Sequence, residues 1–154
     1  MELATVADTR AFGERLAGIL RAGDLVVLTG PLGAGKTVIA QGVGTGLGVR
    51  GEVTSPTFVI ARVHPGPRVP LVHVDAYRLG AVSDPVGEVD ALDLDASVEE
   101  SVTLVEWGSQ LVEQLSDEFL EIRLERRPDD TRVLTLIPRG VDWAQRIAPL
   151  HGAA

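Results

Sequence analysis

Leu25-Val26-Val27-Leu28-Thr29-Gly30-Pro31-Leu32-Gly33-Ala34-Gly35-Lys36-Thr37-Val38-Ile39-Ala40 sets the architecture of this chain. Its first five residues form a continuous apolar run, which suits a strand buried on both faces. The next eight, 30–37, fit G-x-x-x-x-G-K-[ST] through Gly30, Gly35, Lys36 and Thr37. Glycines are required there because a loop that wraps an anion must bring several backbone N–H groups together, with some residues at φ > 0. A helix opening at Lys36 would aim its positive dipole end at the same anion. The segment therefore predicts strand, phosphate loop and helix, with Gly30, Pro31, Leu32, Gly33, Ala34, Gly35, Lys36 and Thr37 cradling Mg-ATP. Lys36 is expected to bridge the β- and γ-phosphates and the Thr37 hydroxyl to ligate Mg²⁺. Lys36 is the one lysine in the sequence, the remaining basic residues being arginines. It stands where a slim ammonium must reach between phosphates, a task a planar guanidinium does poorly.

Working outward, Asp8 to Arg21 reads as a helix that Asp8 caps and Gly23 closes, with Phe12, Leu16, Ile19 and Leu20 on one face. The helix after the loop places Ile39, Ala40, Val43 and Leu47 on its apolar side but also carries Gly42, Gly44 and Gly46. Each interior glycine costs about 0.8–1 kcal/mol relative to alanine. Packing against the sheet must hold this helix, and its later turns are expected to be loose. Further strands are expected at Phe58–Val63, Val69–Asp75 and Val102–Trp107, and a short helix near Ser109–Leu115. The segments Phe119–Glu125 and Arg132–Ile137 are joined by a Pro-Asp-Asp turn and read as a hairpin. A tail helix, Asp142–Ala148, closes the chain. The pattern predicts a single α/β domain over 1–154 with a P-loop NTPase-like three-layer fold around a mixed, mainly parallel sheet. The strand order does not follow from it.

A phosphate loop needs a carboxylate at the end of a neighbouring strand to hold Mg²⁺ or polarise water. Asp75 ends Leu71-Val72-His73-Val74, and Glu106 ends Val102-Thr103-Leu104-Val105. Both are expected at the sheet edge where open α/β folds bind ligands. His73 lies two residues before Asp75, on the same side of the strand, and either hydrogen-bonds the site or is a buried structural histidine. Arg78 is open to a phosphate, to switch-loop backbone or to a surface ion pair, and Trp107 either walls the nucleotide site or fills core, the core reading being favoured. Ser55-Pro56-Thr57-Phe58 lies where nucleotide switches keep a γ-phosphate-sensing hydroxyl, making Thr57 a candidate for that role.

The chain has 154 residues, 45% apolar and 23% charged, and a net charge of −8. It lacks the basic footprint of a free nucleic-acid binder, so any RNA connection is expected to run through a partner protein. No apolar run approaches the roughly 18 residues needed to cross a bilayer, and no signal peptide is seen. The sequence has no cysteine. That excludes disulfides, thiolate metal sites and a cysteine nucleophile, and it suits a cytoplasmic location.

Taken in order, Gly30-Pro31-Leu32-Gly33-Ala34-Gly35-Lys36-Thr37, Ser55-Pro56-Thr57-Phe58, His73-Val74-Asp75-Ala76-Tyr77-Arg78 and Val105-Glu106-Trp107 resemble the TsaE (YjeE) family. Its members are small bacterial P-loop ATPases needed for N6-threonylcarbamoyladenosine at position 37 of tRNA. The resemblance spans about residues 5–125. It implies an ATPase that acts with TsaD and TsaB, meets tRNA only through that assembly, and contacts neither membrane nor DNA. It implies Thr37 and Glu106 as Mg²⁺ ligands, Asp75 as the carboxylate important for hydrolysis, Thr57 in a switch-like loop, and Val6 near the adenine. Pro31 and Val38 depart from the family's frequent Asp and Thr, and neither position supplies an essential ligand. The alternative is a small-molecule P-loop kinase. A kinase usually carries an arginine on a lid over the phosphates, whereas residues 84–100 hold seven acids and no base.

Overall fold

The computed structural model describes residues 1–31, 35–49, 61–75, 100–106 and 118–151. Seven strands form one sheet in the order β1-β7-β6-β2-β5-β4-β3. These are β1 (Glu2–Leu3), β2 (Leu25–Thr29), β3 (Ala61–His64), β4 (Leu71–Asp75), β5 (Val102–Glu106), β6 (Phe119–Arg126) and β7 (Arg132–Arg139). The four central strands, β6, β2, β5 and β4, run parallel, and the outer ones pair antiparallel. The sheet is mixed, with a parallel centre as the sequence pattern predicts. The apolar run 25–29 forms a central strand buried on both faces. The short β1 carried no readable periodicity. It forms because β7 offers an open edge, where Glu2 and Leu3 register with Val133 and Arg132.

Helices α1 (Val6–Ala17) and α2 (Lys36–Leu47) lie on one face of the sheet. Phe12, Leu16, Ile39, Val43 and Leu47 form one core with Val26, Leu28, Leu104, Leu120, Ile122 and Leu134. The other sheet face is buried as well, at Val27, Val72, Val74, Thr103 and Val105.

The ends of α1 differ from the expected ones. Thr5 is the N-cap, and Asp8, the expected cap, is its capping-box partner three residues into the helix. Each side chain satisfies the other residue's backbone N–H, which fixes the start one turn earlier. Gly18, and not Gly23, receives the C-cap position. Gly23 has φ +91° and donates its N–H to Ser101 O, turning the chain into β2.

The glycines of α2 have a packing reason that the expectation of loose later turns lacked. A Cβ on Gly42 would lie well inside contact distance of Arg10 O, and one on Gly46 would stand 2.5 Å from Ala17 Cβ. A Cβ on Gly13 of α1 would meet Ile39 O at 2.5 Å. The two helices therefore touch backbone to backbone along a glycine seam, and the propensity cost is offset by that approach.

The tail forms two short helices, α3 (Val141–Arg146) and α4 (Ala148–His151), where one was expected. Trp143, Ile147 and Leu150 are buried in the common core. Arg146 ties α3 to the turn before β2 through Asp24, with Nη1 at 2.8 Å from Oδ1 and Nη2 at 2.5 Å from Oδ2, and it lies over the Trp143 ring. The bond to Asp24 raises the Arg146 guanidinium above its ordinary range. Both side chains are largely buried. Asp24→Asn keeps the shape and removes the charge-assisted partner. It is expected to cost about 2 kcal/mol and to lower the midpoint of thermal unfolding by about 4–8 °C, read by circular dichroism.

In the β6–β7 turn, Asp130 has φ +69°, and the Asp129 carboxylate accepts the Thr131 N–H at 3.0 Å. That backbone hydrogen bond holds the Asp129 carboxyl below its usual range. The sign follows from linkage: the bond supports the turn above the ordinary carboxylate pKa and is lost as pH falls through the depressed one.

Candidate functional site

The three parallel strands β2, β5 and β4 end in one rank. Leu28 registers with Glu106, and Glu106 with Asp75. Ligand sites of open α/β sheets lie at this carboxyl edge. The predicted phosphate loop leaves the same edge one residue after Thr29.

Gly30 has φ +152° and Gly35 φ +109°, conformations that an L side chain rarely adopts. Gly35 is the N-cap of α2. No side chain caps this helix, and its first turn holds no acid. Its leading N–H groups are thus left for an outside acceptor, and its dipole favours an anion there. Lys36 is 5% exposed, and its Nζ donates to Gly30 O at 2.6 Å and to Pro31 O at 3.0 Å. The ammonium is folded over the start of the loop. Thr37 is half-buried in the same first turn. Leu32, Gly33 and Ala34, the remaining predicted cradle residues, lie outside the described residues, as does Thr57.

Glu106 is 4% exposed and His73 is fully buried. The imidazole Nε2–H donates to Glu106 Oε2 at 2.5 Å. Alternation explains the pairing. His73 registers with Leu104, so it and Glu106 share the face that carries α2. A buried histidine hydrogen-bonded to Glu106 fits both readings of His73. Its Nδ1 has no partner among the described residues. The histidine holds one carboxylate oxygen, and among the described residues no hydrogen bond is made by the other, an arrangement common behind metal-ligating carboxylates. The backbone of Asp75 stands beside Glu106 on β4. Tyr77, Arg78, Trp107 and the acidic stretch 84–99 lie outside the described residues, as does the expected helix at 109–115.

Val6 is the exposed first residue of α1. Thr9, one turn later on the same side of the helix, has its Cγ2 3.4 Å from where a Gly35 Cβ would stand. The N-terminal end of α1 therefore flanks the loop on the side away from Glu106. Thr9 escaped the sequence reading, although its spacing of three from Val6 could have flagged it. Arg132, whose Nε lies 3.9 Å from the same point, escaped as well. No short motif marks a residue that reaches a site from a distant strand.

The arrangement brings a helix N-terminus, a buried ammonium, a hydroxyl and a buried carboxylate to one sheet edge. Such a set fits a phosphate chain with a divalent cation, by the chemistry of its donors and by the glycines at positive φ.

Comparison with known proteins gives a consistent picture. A family model described as "Threonylcarbamoyl adenosine biosynthesis protein TsaE" matches residues 3–134. A protein of Streptomyces coelicolor called tRNA threonylcarbamoyladenosine biosynthesis protein TsaE is 55% identical over 88% of this chain and 93% of its own length. The protein of the same name from Bacillus subtilis is 37% identical over 86% of this chain and 81% of its own. The crystal structure of Bacillus subtilis YdiB superposes with a TM-score of 0.80 at 30% identity, covering 99% of this chain and 93% of that one. Loop, strand-end acids and sheet order thus occur together in a chain that belongs to the TsaE family of tRNA threonylcarbamoyladenosine biosynthesis proteins.

Proposed function

We propose that this protein binds Mg-ATP at residues 30–37 and hydrolyses it slowly in the service of N6-threonylcarbamoyladenosine formation at position 37 of tRNA, acting with TsaD and TsaB. The observation that carries the reading is Lys36: a buried ammonium folded onto Gly30 O and Pro31 O beside an uncapped helix N-terminus. On this reading Lys36 turns from those carbonyls to the β- and γ-phosphates, and the backbone N–H groups at the start of α2 hold the phosphate oxygens. Thr37 and Glu106 would hold the metal, with His73 keeping the Glu106 carboxylate oriented. A bound Mg²⁺ would supply charge neutralisation for the phosphates there. Asp75, next to Glu106 in register, is the candidate that orients the attacking water. Val6 and Thr57 complete the proposed nucleotide contacts, and the assembly operates in the cytoplasm.

Slow intrinsic turnover is expected when no arginine finger completes the site, since such a group can add about 10³–10⁵ in rate. The small-molecule kinase reading is weaker, since the family's role is tRNA modification and residues 84–100 contain no base for a lid.

The test is tRNA modification in cells depleted of the protein. Threonylcarbamoyladenosine, measured by mass spectrometry of digested tRNA, is expected to fall several-fold. Wild-type protein is expected to restore it and Asp75→Ala to fail. Unchanged modification on depletion rejects the pathway role, and full rescue by Asp75→Ala rejects the catalytic role of that carboxylate.

A further inference from the structure

The glycine seam leaves α1 and α2 an axial freedom that other elements must remove. Side chains packed as ridges into grooves normally set how far one helix lies along another. Where Gly13, Gly42 and Gly46 approach backbone, that device is missing. The position of α1 along α2 has to be fixed from the ends. The front end follows β1, which is paired to β7. The rear end is held by two arginines from elsewhere in the chain. Arg68, in the turn between β3 and β4, donates through Nη2 to Ala17 O at 2.6 Å and to Leu20 O at 2.7 Å. Arg146 of α3 donates through Nη2 to Ile19 O at 2.6 Å. Carbonyls at the end of a helix lack intrahelical partners, and its dipole favours cations there.

The turn that carries Arg68 also meets the rear of α2. A Cβ on Gly48, the C-cap of α2, would lie 3.5 Å from Pro67 Cγ, and one on Gly66 would stand 3.0 Å from Val49 Cγ1. Pro65, Pro67 and Pro70 stiffen the turn by fixing φ, and Val69 roots it in the core. Both helices that reach the phosphate loop with their front ends therefore rest at the rear on one stiff support.

The front of α1 places Thr9 against Gly35, on the side of the loop away from Glu106. A phosphate chain whose metal-bound end faces Glu106 turns its nucleoside toward that front end. We propose that Arg68 is a positioning residue for the nucleotide site: by pinning the rear of α1 to the β3–β4 turn, it sets where the front of α1 stands beside the nucleoside. The helix between them has twelve residues, about 18 Å at 1.5 Å each, so Arg68 acts through α1 and touches no ligand. The inference rests on the ATP-binding reading above and adds to it a remote support for the nucleoside side.

Calorimetric titration of the full-length protein with ATP and with inorganic tripolyphosphate, each with Mg²⁺ and well below the melting temperature, tests it. Arg68→Ala is expected to weaken ATP about fivefold, the scale on which a remote packing change alters a site. Its affinity for tripolyphosphate, which has no nucleoside, is expected to stay at the wild-type value. Arg68→Lys keeps a cation that can donate to both carbonyls and is expected to restore ATP binding. Arg21→Ala, just beyond the same end of α1 but paired to Asp142, is expected to bind both ligands as the wild type does. Arg68→Gln, with one amide donor, is the second variant should the alanine form fail to fold, and a loss of about threefold for ATP alone is expected from it. Wild-type ATP affinity in the Ala and Gln variants overturns this inference alone, and so does an equal loss for both ligands, which would make Arg68 a general structural residue. A wild-type protein that does not hold tripolyphosphate overturns the phosphate-cradle reading and this inference with it.

Discussion

Lys36→Ala is expected to weaken ATP binding by at least 100-fold while leaving the fold intact. Among the described residues the ammonium donates to two loop carbonyls, at 2.6 and 3.0 Å, and it can exchange them for phosphate oxygens without moving its stem far. Two charge-assisted hydrogen bonds at about 1.5–3 kcal/mol each correspond to roughly 10²–10⁴ in affinity. The folding cost is small by comparison. Gly30 O and Pro31 O lose a donor, but Pro31 is exposed and water can replace it. Removing a buried charge also recovers its desolvation penalty. Calorimetry and a thermal melt on one preparation separate the two effects. Unaltered affinity would reject the phosphate cradle, and a collapse in melting temperature would instead make Lys36 a structural residue.

Gly42→Val acts the opposite way, with a large effect on stability and an indirect one on the site. A Cβ at residue 42 would collide with the backbone oxygen of Arg10 and approach Gly13 Cα to 3.0 Å. Neither obstacle is the end of a flexible side chain, so α1 and α2 must separate. Valine gains a little helix propensity over glycine. The gain is far outweighed by core overpacking against backbone, and a net loss of about 4 kcal/mol is expected. For a chain of this size that lowers the unfolding midpoint by about 8–16 °C, measured by scanning calorimetry. Since α2 carries Lys36 and Thr37 at its start and α1 carries Thr9 against Gly35, the surviving folded fraction should also bind nucleotide less well. A melting temperature within 2 °C of wild type (the scale of about 0.5–1 kcal/mol) would show that the seam can open without cost.

The sequence announced the loop and the two strand-end acids because each is a local pattern: four fixed residues after an apolar run, or a carboxylate after four apolar residues. Strands β2 and β5 and helix α2 were legible for the same reason. The pairing of His73 with Glu106 was half legible. Strand alternation told which way the histidine points, but β4 and β5 had first to be neighbours. Strand order is a long-range property that no local pattern encodes, so Arg132 could not be placed beside the loop from the sequence. The helix glycines show a different shortfall. Propensity alone makes Gly42 and Gly46 look like weaknesses, and only the α1 backbone lying against them shows why larger residues are excluded.

The rank formed by Leu28, Glu106 and Asp75 works as a ruler. Adjacent strands stand about 4.8 Å apart, so the two acids sit one and two graduations from the root of the loop. On the proposed reading, a cation held by Thr37 would have Glu106 as its nearer carboxylate. On the same reading Asp75, whose backbone lies a graduation beyond, would act across an intervening water. Exchanging the two acid types between these strands would alter side-chain reach without moving the marks, which makes the double swap a stringent gauge of which acid does what.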